Sequence, residues 1–176
     1  LNDVDIETCT QAIIVTVSND YNLIGTYTEI YTPLLRVINN ILSLGTTNPV
    51  TSAQLVISIE YISNGIQKSL VVGETQKSVV ATNFRLGAMV GTPSMLTSSV
   101  TLPQSVIEVL YNVEPTKVDL IDYQLVSSSD GLVGLSLVQY NYSRSINQTD
   151  VDVIINGYNL AIQEFTTIAL MQNTYP

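Results

Sequence analysis

The stretch Ala53–Gly73, AQLVISIEYISNGIQKSLVVG, decides how the chain is read. Leu55, Ile57, Ile59 and Tyr61 alternate with Gln54, Ser58 and Glu60, the period-2 pattern of a strand with one buried face. Asn64-Gly65 is a dipeptide that accepts the two positive φ values of a type I′ turn. With that pair at a hairpin tip, Ser63 faces Ile66, Tyr61 faces Lys68, Ile59 faces Leu70 and Ile57 faces Val72. The apolar residues of both arms then share one face, as a fixed register requires. The stretch predicts a β-hairpin and hence a β-sheet domain.

Two more hairpins follow by the same reasoning. Asp130-Gly131 places Leu125 opposite Ser136, Tyr123 opposite Val138 and Ile121 opposite Tyr140. Asn156-Gly157 pairs Val151 with Ile162, Val153 with Leu160 and Ile155 with Tyr158. Lys77–Val90 reads as mostly extended, with Gly87 as a bulge. Met95–Leu102 reads as a strand, Ser105–Val113 as a short helix or a strand, with its β-branched residues and flanking prolines favouring strand, and Gln163–Gln172 as a closing strand at a sheet edge.

Upstream, residues 1–18 read as extended. Val4 and Ile6 alternate with Asp3, Asp5 and Glu7, and Ile13, Val15 and Val17 alternate with Ala12, Ile14 and Thr16. Asn19-Asp20 reads as a turn, and Leu23–Tyr31 as a second extended stretch. One helix is expected, over about 32–44. Thr32 serves as its N-cap, Pro33 occupies the first helical position, and Gly45 closes it. Leu34, Leu35, Val37, Ile38, Ile41 and Leu42 form its apolar stripe. The expected fold is therefore all-β: an immunoglobulin-like β-sandwich with one crossover helix and an extended N-terminal strand. Residues 1–18 form the terminal strand and 19–176 the sandwich domain.

Composition narrows the function. Six Lys and Arg against fifteen Asp and Glu give a net charge of −9. The cations Arg36, Lys68, Lys77, Arg85, Lys117 and Arg144 are scattered singly, which disfavours nucleic acid and anionic membrane surfaces. No apolar run approaches membrane-spanning length. Charged residues are 12% of the chain and apolar ones 45%, with mean hydropathy +0.29, a balance common in secreted and assembled proteins. The first residue is Leu1, consistent with either a processed secretory protein or a trimmed chain, and processing is the preferred expectation.

The chain has no His and a single Cys, Cys9. An internal disulfide, a Ser-His-Asp triad and a Cys-His dyad built from this chain alone are thereby excluded. No glycine-rich phosphate loop occurs. No cofactor and no enzymatic activity are expected. Asp119 with Asp122, and Asp150 with Asp152, are paired carboxylates of the kind used in acid–base chemistry, although Asp150 and Asp152 equally suit a solvated sheet face. Asp3, Asp5 and Glu7 on one strand face could meet a hard cation such as calcium, or simply water. Lys68, beside Tyr61 and Leu70 in the hairpin register, could donate to an isopeptide cross-link or reach out to solvent. Asn141-Tyr-Ser143 and Asn147-Gln-Thr149 match the N-glycosylation acceptor pattern.

An extended N-terminal strand ahead of a β-rich domain, few Lys and Glu, abundant Tyr, Thr, Ser and Asn, and the sequons at Asn141 and Asn147 together resemble subunits of archaeal extracellular filaments of the donor-strand type. The resemblance implies a secreted, N-glycosylated cell-surface protein that polymerises with itself head to tail. In that family the N-terminal strand completes the neighbour's sheet, so Val4, Ile6, Ile13, Val15 and Val17 become the implied polymerisation residues. A viral capsid or tail protein, and a secreted adhesin or carbohydrate-binding module, are the alternatives. The absence of Trp weighs against the last.

Overall fold

The computed structural model describes residues 2–45, 48–92, 100–104, 109–112, 117–118, 132–140, 149–159 and 164–175. The chain divides into two compact units, Leu1–Ser69 and Leu70–Pro176. The first is helical throughout. It consists of α1 (Asp3–Thr26), α2 (Thr28–Leu44) and α3 (Pro49–Ser69). The all-β sandwich is therefore not formed, and the extended strand expected over residues 1–18 is the first two-thirds of a helix.

The helical period was present in the deciding stretch alongside the strand period. Leu55, Ile59, Ile62 and Ile66, spaced four, three and four apart, are fully buried along α3, whereas Ile57 is 42% exposed. Ile6, Thr10, Ile13, Val17 and Ile24 repeat the spacing on α1, and Tyr31, Leu35 and Ile38 on α2. Burial of each such Leu or Ile stabilises by roughly 1.5–3 kcal/mol. The summed apolar stripe overrides the weak helix propensity of Ile, Val, Thr and Ser. Hydroxyls are absorbed by the helices themselves. Thr8 donates to the Val4 carbonyl, Thr16 to Ala12, Ser58 to Gln54 and Ser63 to Ile59 at 2.7–2.8 Å.

α1 starts with a capping box. The Asn2 side chain accepts from the Asp5 amide at 2.9 Å, and the Asp5 carboxylate accepts from the Asn2 amide. The expected turn at Asn19-Asp20 survives only as a kink, with Asp20 at φ −120°, ψ 18°. Leu23–Tyr31 is not extended: Tyr27 alone separates α1 from α2, capping both. α2 begins four residues ahead of the expected start, so Pro33 lies in its second turn and cannot donate to the Glu29 carbonyl. It ends where expected, with Gly45 at φ 70°.

α1 and α3 run parallel. Asn48 donates to Glu7 at 2.6 Å, Gln54 to Gln11 at 3.1 Å, and Ser69 to the Gly25 carbonyl at 3.3 Å, so the pairing advances in the same direction along both helices. α2 makes the return between them. Asn64-Gly65 turns no hairpin; it lies inside α3. A Cβ on Gly65 would overlap the Tyr21 carbonyl oxygen, and one on Gly25 would overlap the backbone of Gly65 and Ile66. Gly65 is where two helix backbones touch.

The second unit is an antiparallel sheet. β1 (Lys77–Val80), β2 (Phe84–Gly91), β5 (Leu132–Tyr140), β6 (Thr149–Asn159) and β7 (Glu164–Tyr175) lie side by side in that order. β3 (Val100–Thr101) and β4 (Lys117–Val118) form a separate short pair. Gly87 is no bulge. It pairs regularly with Ser78 and Leu137, and its missing side chain leaves room for the Gln76 amide. β5 is flanked by β2 and β6; the expected register of Ile121, Tyr123 and Leu125 falls on residues 119–131, which lie outside the described residues. β6 runs straight through Asn156-Gly157, and Val151, Val153 and Ile155 pair instead with Gln172, Leu170 and Ile168. β7 ends the strand order, close to the expected closing strand. Of the expected strand over residues 105–113, the described part is a turn, with the Asn112 amide donating to the Val109 carbonyl at 3.2 Å.

Phe84, Leu86 and Ala88 on one face of β2 and Arg85 on the other are all buried, as are the facing β5 residues Leu137, Val138, Gln139 and Tyr140. The centre of the sheet is thus covered on both sides. Arg85 and Gln139 are directly opposite across the strands, and the guanidinium Nε donates to the Gln139 side-chain oxygen at 2.5 Å. Its Nη1 donates to the Pro103 carbonyl at 3.2 Å.

Candidate functional site

The outer face of the α1/α3 pair holds an open groove of about 840 Å³. Its floor and walls come from Ala12 and Val15 on α1, Val50 on α3, and the polar rungs Glu7–Asn48 and Gln11–Gln54 that cross between the helices. Helix periodicity builds it. Residues 8, 11, 12 and 15 follow one another on the outward flank of α1, and 50 and 54 on the facing flank of α3. Glu7 is the single ionisable side chain of the lining. Thr8 and Thr16, its hydroxyls nearest to α1, donate to helix carbonyls and are poorly placed as nucleophiles. This chemistry suits contact with a complementary surface.

A second feature lies on α2. Ile30, Val37 and Leu44, seven residues apart, are 40%, 46% and 54% exposed, and Leu34 falls between them on the same flank. Tyr27 extends the row at 44% exposed. From Tyr27 to Val37 this ridge of large apolar side chains repeats at three and four residues, the spacing that presents knobs to a facing helix; Ile41 is buried, and Leu44 resumes the row. Arg36 is exposed beside it.

The residues singled out from sequence fall as follows. Ile6, Ile13 and Val17 are buried in the helical unit, while Val4 and Val15 are exposed, Val15 within the groove. As helix residues they form no alternating strand face. Asp3, Asp5 and Glu7 are splayed around α1 by about 200° for each step of two residues. Asp5 is occupied with the cap and Glu7 with Asn48. No cluster of three potential metal ligands occurs among the described residues. Lys68 lies in the last turn of α3, its Nζ donating to the Tyr21 hydroxyl at 2.6 Å and lying 4.5 Å from that ring's centre. Tyr61 stacks at a tilt on Tyr21, with 5.7 Å between centroids.

Asp150 and Asp152 of β6 are in register with Tyr140 and Val138 on β5. Asn141, Asn147, Asp119 and Asp122 lie outside the described residues. Cys9 is exposed on α1. No helix among the described residues is long and apolar enough to cross a membrane. Reading residues 1–18 and 53–73 as strands hid the groove. The visible signal of the ridge was the seven-residue recurrence of Ile30, Val37 and Leu44. Comparison with protein-family models, with curated proteins and with solved structures finds no match to this chain.

Proposed function

We propose that the chain is a structural subunit that assembles with copies of itself into a secreted cell-surface filament, carrying N-linked glycans at Asn141 and Asn147. One observation carries the reading: a helical unit of 69 residues leaves Val4, Val15, Leu23, Ile30, Val37, Leu44, Val50 and Ile57 more than a third exposed. Single exposed apolar residues are ordinary, but rows of them along helices mark surfaces meant to be covered. The sequons and the low charge support an extracellular, glycan-hydrated setting. The reading requires no catalytic group and no cofactor.

Insertion of an N-terminal strand into a neighbour's sheet is not part of this proposal, because that segment is α1. Contact between subunits must use side chains of formed helices or the edges of the sheet. Electron microscopy of natively purified protein, with intact mass on the same sample, tests the reading. Filaments of subunits heavier than the polypeptide are expected. A uniform monomer of unmodified mass would overturn it.

A further inference from the structure

Resting on that reading, we propose the contact itself: the α2 ridge of one copy seats in the α1/α3 groove of the next, so that copies join head to tail. The ridge and the groove are different patches of the same unit. A contact between unlike patches leaves one ridge and one groove free at the ends of every assembly, which is the condition for open growth.

Three features match ridge to groove. The groove lies between two parallel helices and is floored by small or short side chains, Ala12, Val15, Val50 and Thr51, which is the shape a third helix fills. The ridge offers longer knobs, Ile30, Leu34, Val37 and Leu44, at coiled-coil spacing. At 1.5 Å of rise per residue, Ile30 to Val37 spans about 10 Å and fits the groove from Glu7 to Thr16, about 14 Å, while Leu44 lies about 10 Å further on, beyond it. Charge supports the same pairing. α1 carries Asp3, Asp5, Glu7 and Asp20 with no cation, and Glu7 lines the groove. Arg36, exposed beside Val37, is the only cation ahead of Lys68, and Lys68 is engaged with Tyr21. Arg36 of the incoming ridge therefore meets Glu7 at the groove's rim. Two grooves face to face would bring Glu7 against Glu7, whereas the ridge, with Glu29 seven residues ahead of Arg36, carries no net charge.

The test uses two single variants of the full chain, Val37→Glu on the ridge and Val15→Glu in the groove. Both positions are about half exposed, so the fold is expected to persist, checked by unchanged helical circular dichroism. Sedimentation velocity of the unaltered protein is expected to show a ladder of oligomers, and each variant alone a monomer. An equal mixture of the two is expected to form a dimer and stop, since one intact groove and one intact ridge remain. Glu7→Arg is expected to weaken assembly at least tenfold, and Glu7→Arg with Arg36→Glu in the same chain to restore it. A variant that assembles like the unaltered protein, or a mixture that stays monomeric, overturns the ridge-in-groove contact while leaving the filament reading standing; an unaltered protein that stops at a closed dimer overturns both. An unaltered protein that is monomeric at every concentration overturns both.

Discussion

Gly25 of α1 and Gly65 of α3 lie backbone against backbone. The Cβ position of Gly65 is 3.1 Å from the Gly25 Cα and well inside van der Waals contact distance of the Tyr21 carbonyl oxygen. Two parallel helices approach this closely only where neither carries a side chain. Around the crossing, Tyr21 and Tyr61 pack together, Lys68 reaches Tyr21, and Ser69 donates to the Gly25 carbonyl. The pair fixes both the spacing of the helices and, through it, the groove on their outer face.

Gly65→Ala is expected to destabilise the helical unit by roughly 3 kcal/mol, because the clash is with backbone that cannot rotate away. Gly65→Asn separates this role from a turn: Asn suits a type I′ hairpin, yet at a helix crossing it is at least as damaging as Ala. Gly45→Ala, at φ 70° with nothing nearby, is expected to cost only about 1 kcal/mol of left-handed strain. Urea denaturation followed by helical circular dichroism checks the order, and equal effects at Gly45 and Gly65 would contradict it.

Thr10 is fully buried on the α1 stripe, and its Oγ1 has no hydrogen-bond partner. Other hydroxyls of the helices donate to a carbonyl one turn back, but this one does not. A buried hydroxyl left unsatisfied costs about 1–3 kcal/mol, and Val reproduces the shape without the polar atom. Thr10→Val is expected to raise the unfolding midpoint and add about 1 kcal/mol of stability. Thr10→Ala, which opens a cavity instead, is expected to lower it.

What could be read from the sequence depended on how many independent signals agreed. The helix over about 32–44 was legible because an apolar stripe, Pro33 and Gly45 all pointed to one answer, and only its start was misplaced. Residues 53–73 carried two periods at once. Leu55 and Ile59 fit both, and the deciding positions were Ile62 and Ile66, which the hairpin register would have placed on opposite faces and which α3 buries together. Asn64-Gly65 then tipped the choice the wrong way, since a glycine needed for a helix crossing looks the same as one needed for a turn. Its partner Gly25 was the missing clue. The β-branched and hydroxyl residues of α1 misled for a similar reason, since propensity is a weak prior where hydroxyls bond to their own helix. In the sheet, extended character over 77–90 was legible. Pairing was not, because β2, 41 residues ahead of its partner at Gly91 and Leu132, lies between β1 and β5. The groove was invisible until α1 and α3 existed, whereas the ridge lay largely on the one helix that was legible.

Glu60 of α3 is half-buried, and burial raises its carboxyl pKa above the ordinary value. A raised pKa means the folded protein binds the proton more tightly than the unfolded chain does. Stability from this group is therefore full at pH below the ordinary Glu range and declines as pH rises through that range toward the folded pKa. Glu60→Gln is expected to be more stable than the unaltered protein at neutral pH, with the advantage shrinking as pH falls toward 4.5, the ordinary value. Denaturation midpoints from pH 4 to 8 check it. An advantage that grew on acidification would have the wrong sign.

Arg85 and Gln139 form the polar pair at the covered centre of the sheet. Arg85 is 8% exposed and Gln139 9%, so neither exchanges its partner cheaply for water. A hydrogen bond to a charged group is worth about 1.5–3 kcal/mol, and removing the acceptor leaves the guanidinium's Nε facing an apolar wall. Gln139→Leu is expected to destabilise the sheet unit by about 2 kcal/mol. Arg85→Met together with Gln139→Leu removes donor and acceptor at once, at nearly constant volume, and buried polar pairs replaced in this way cost little. The double variant is therefore expected to be more stable than Gln139→Leu alone, a coupling that a double-mutant cycle reads directly. Strictly additive losses would mean that Arg85 is held by the Pro103 carbonyl and its other contacts, and that Gln139 serves only to fill space.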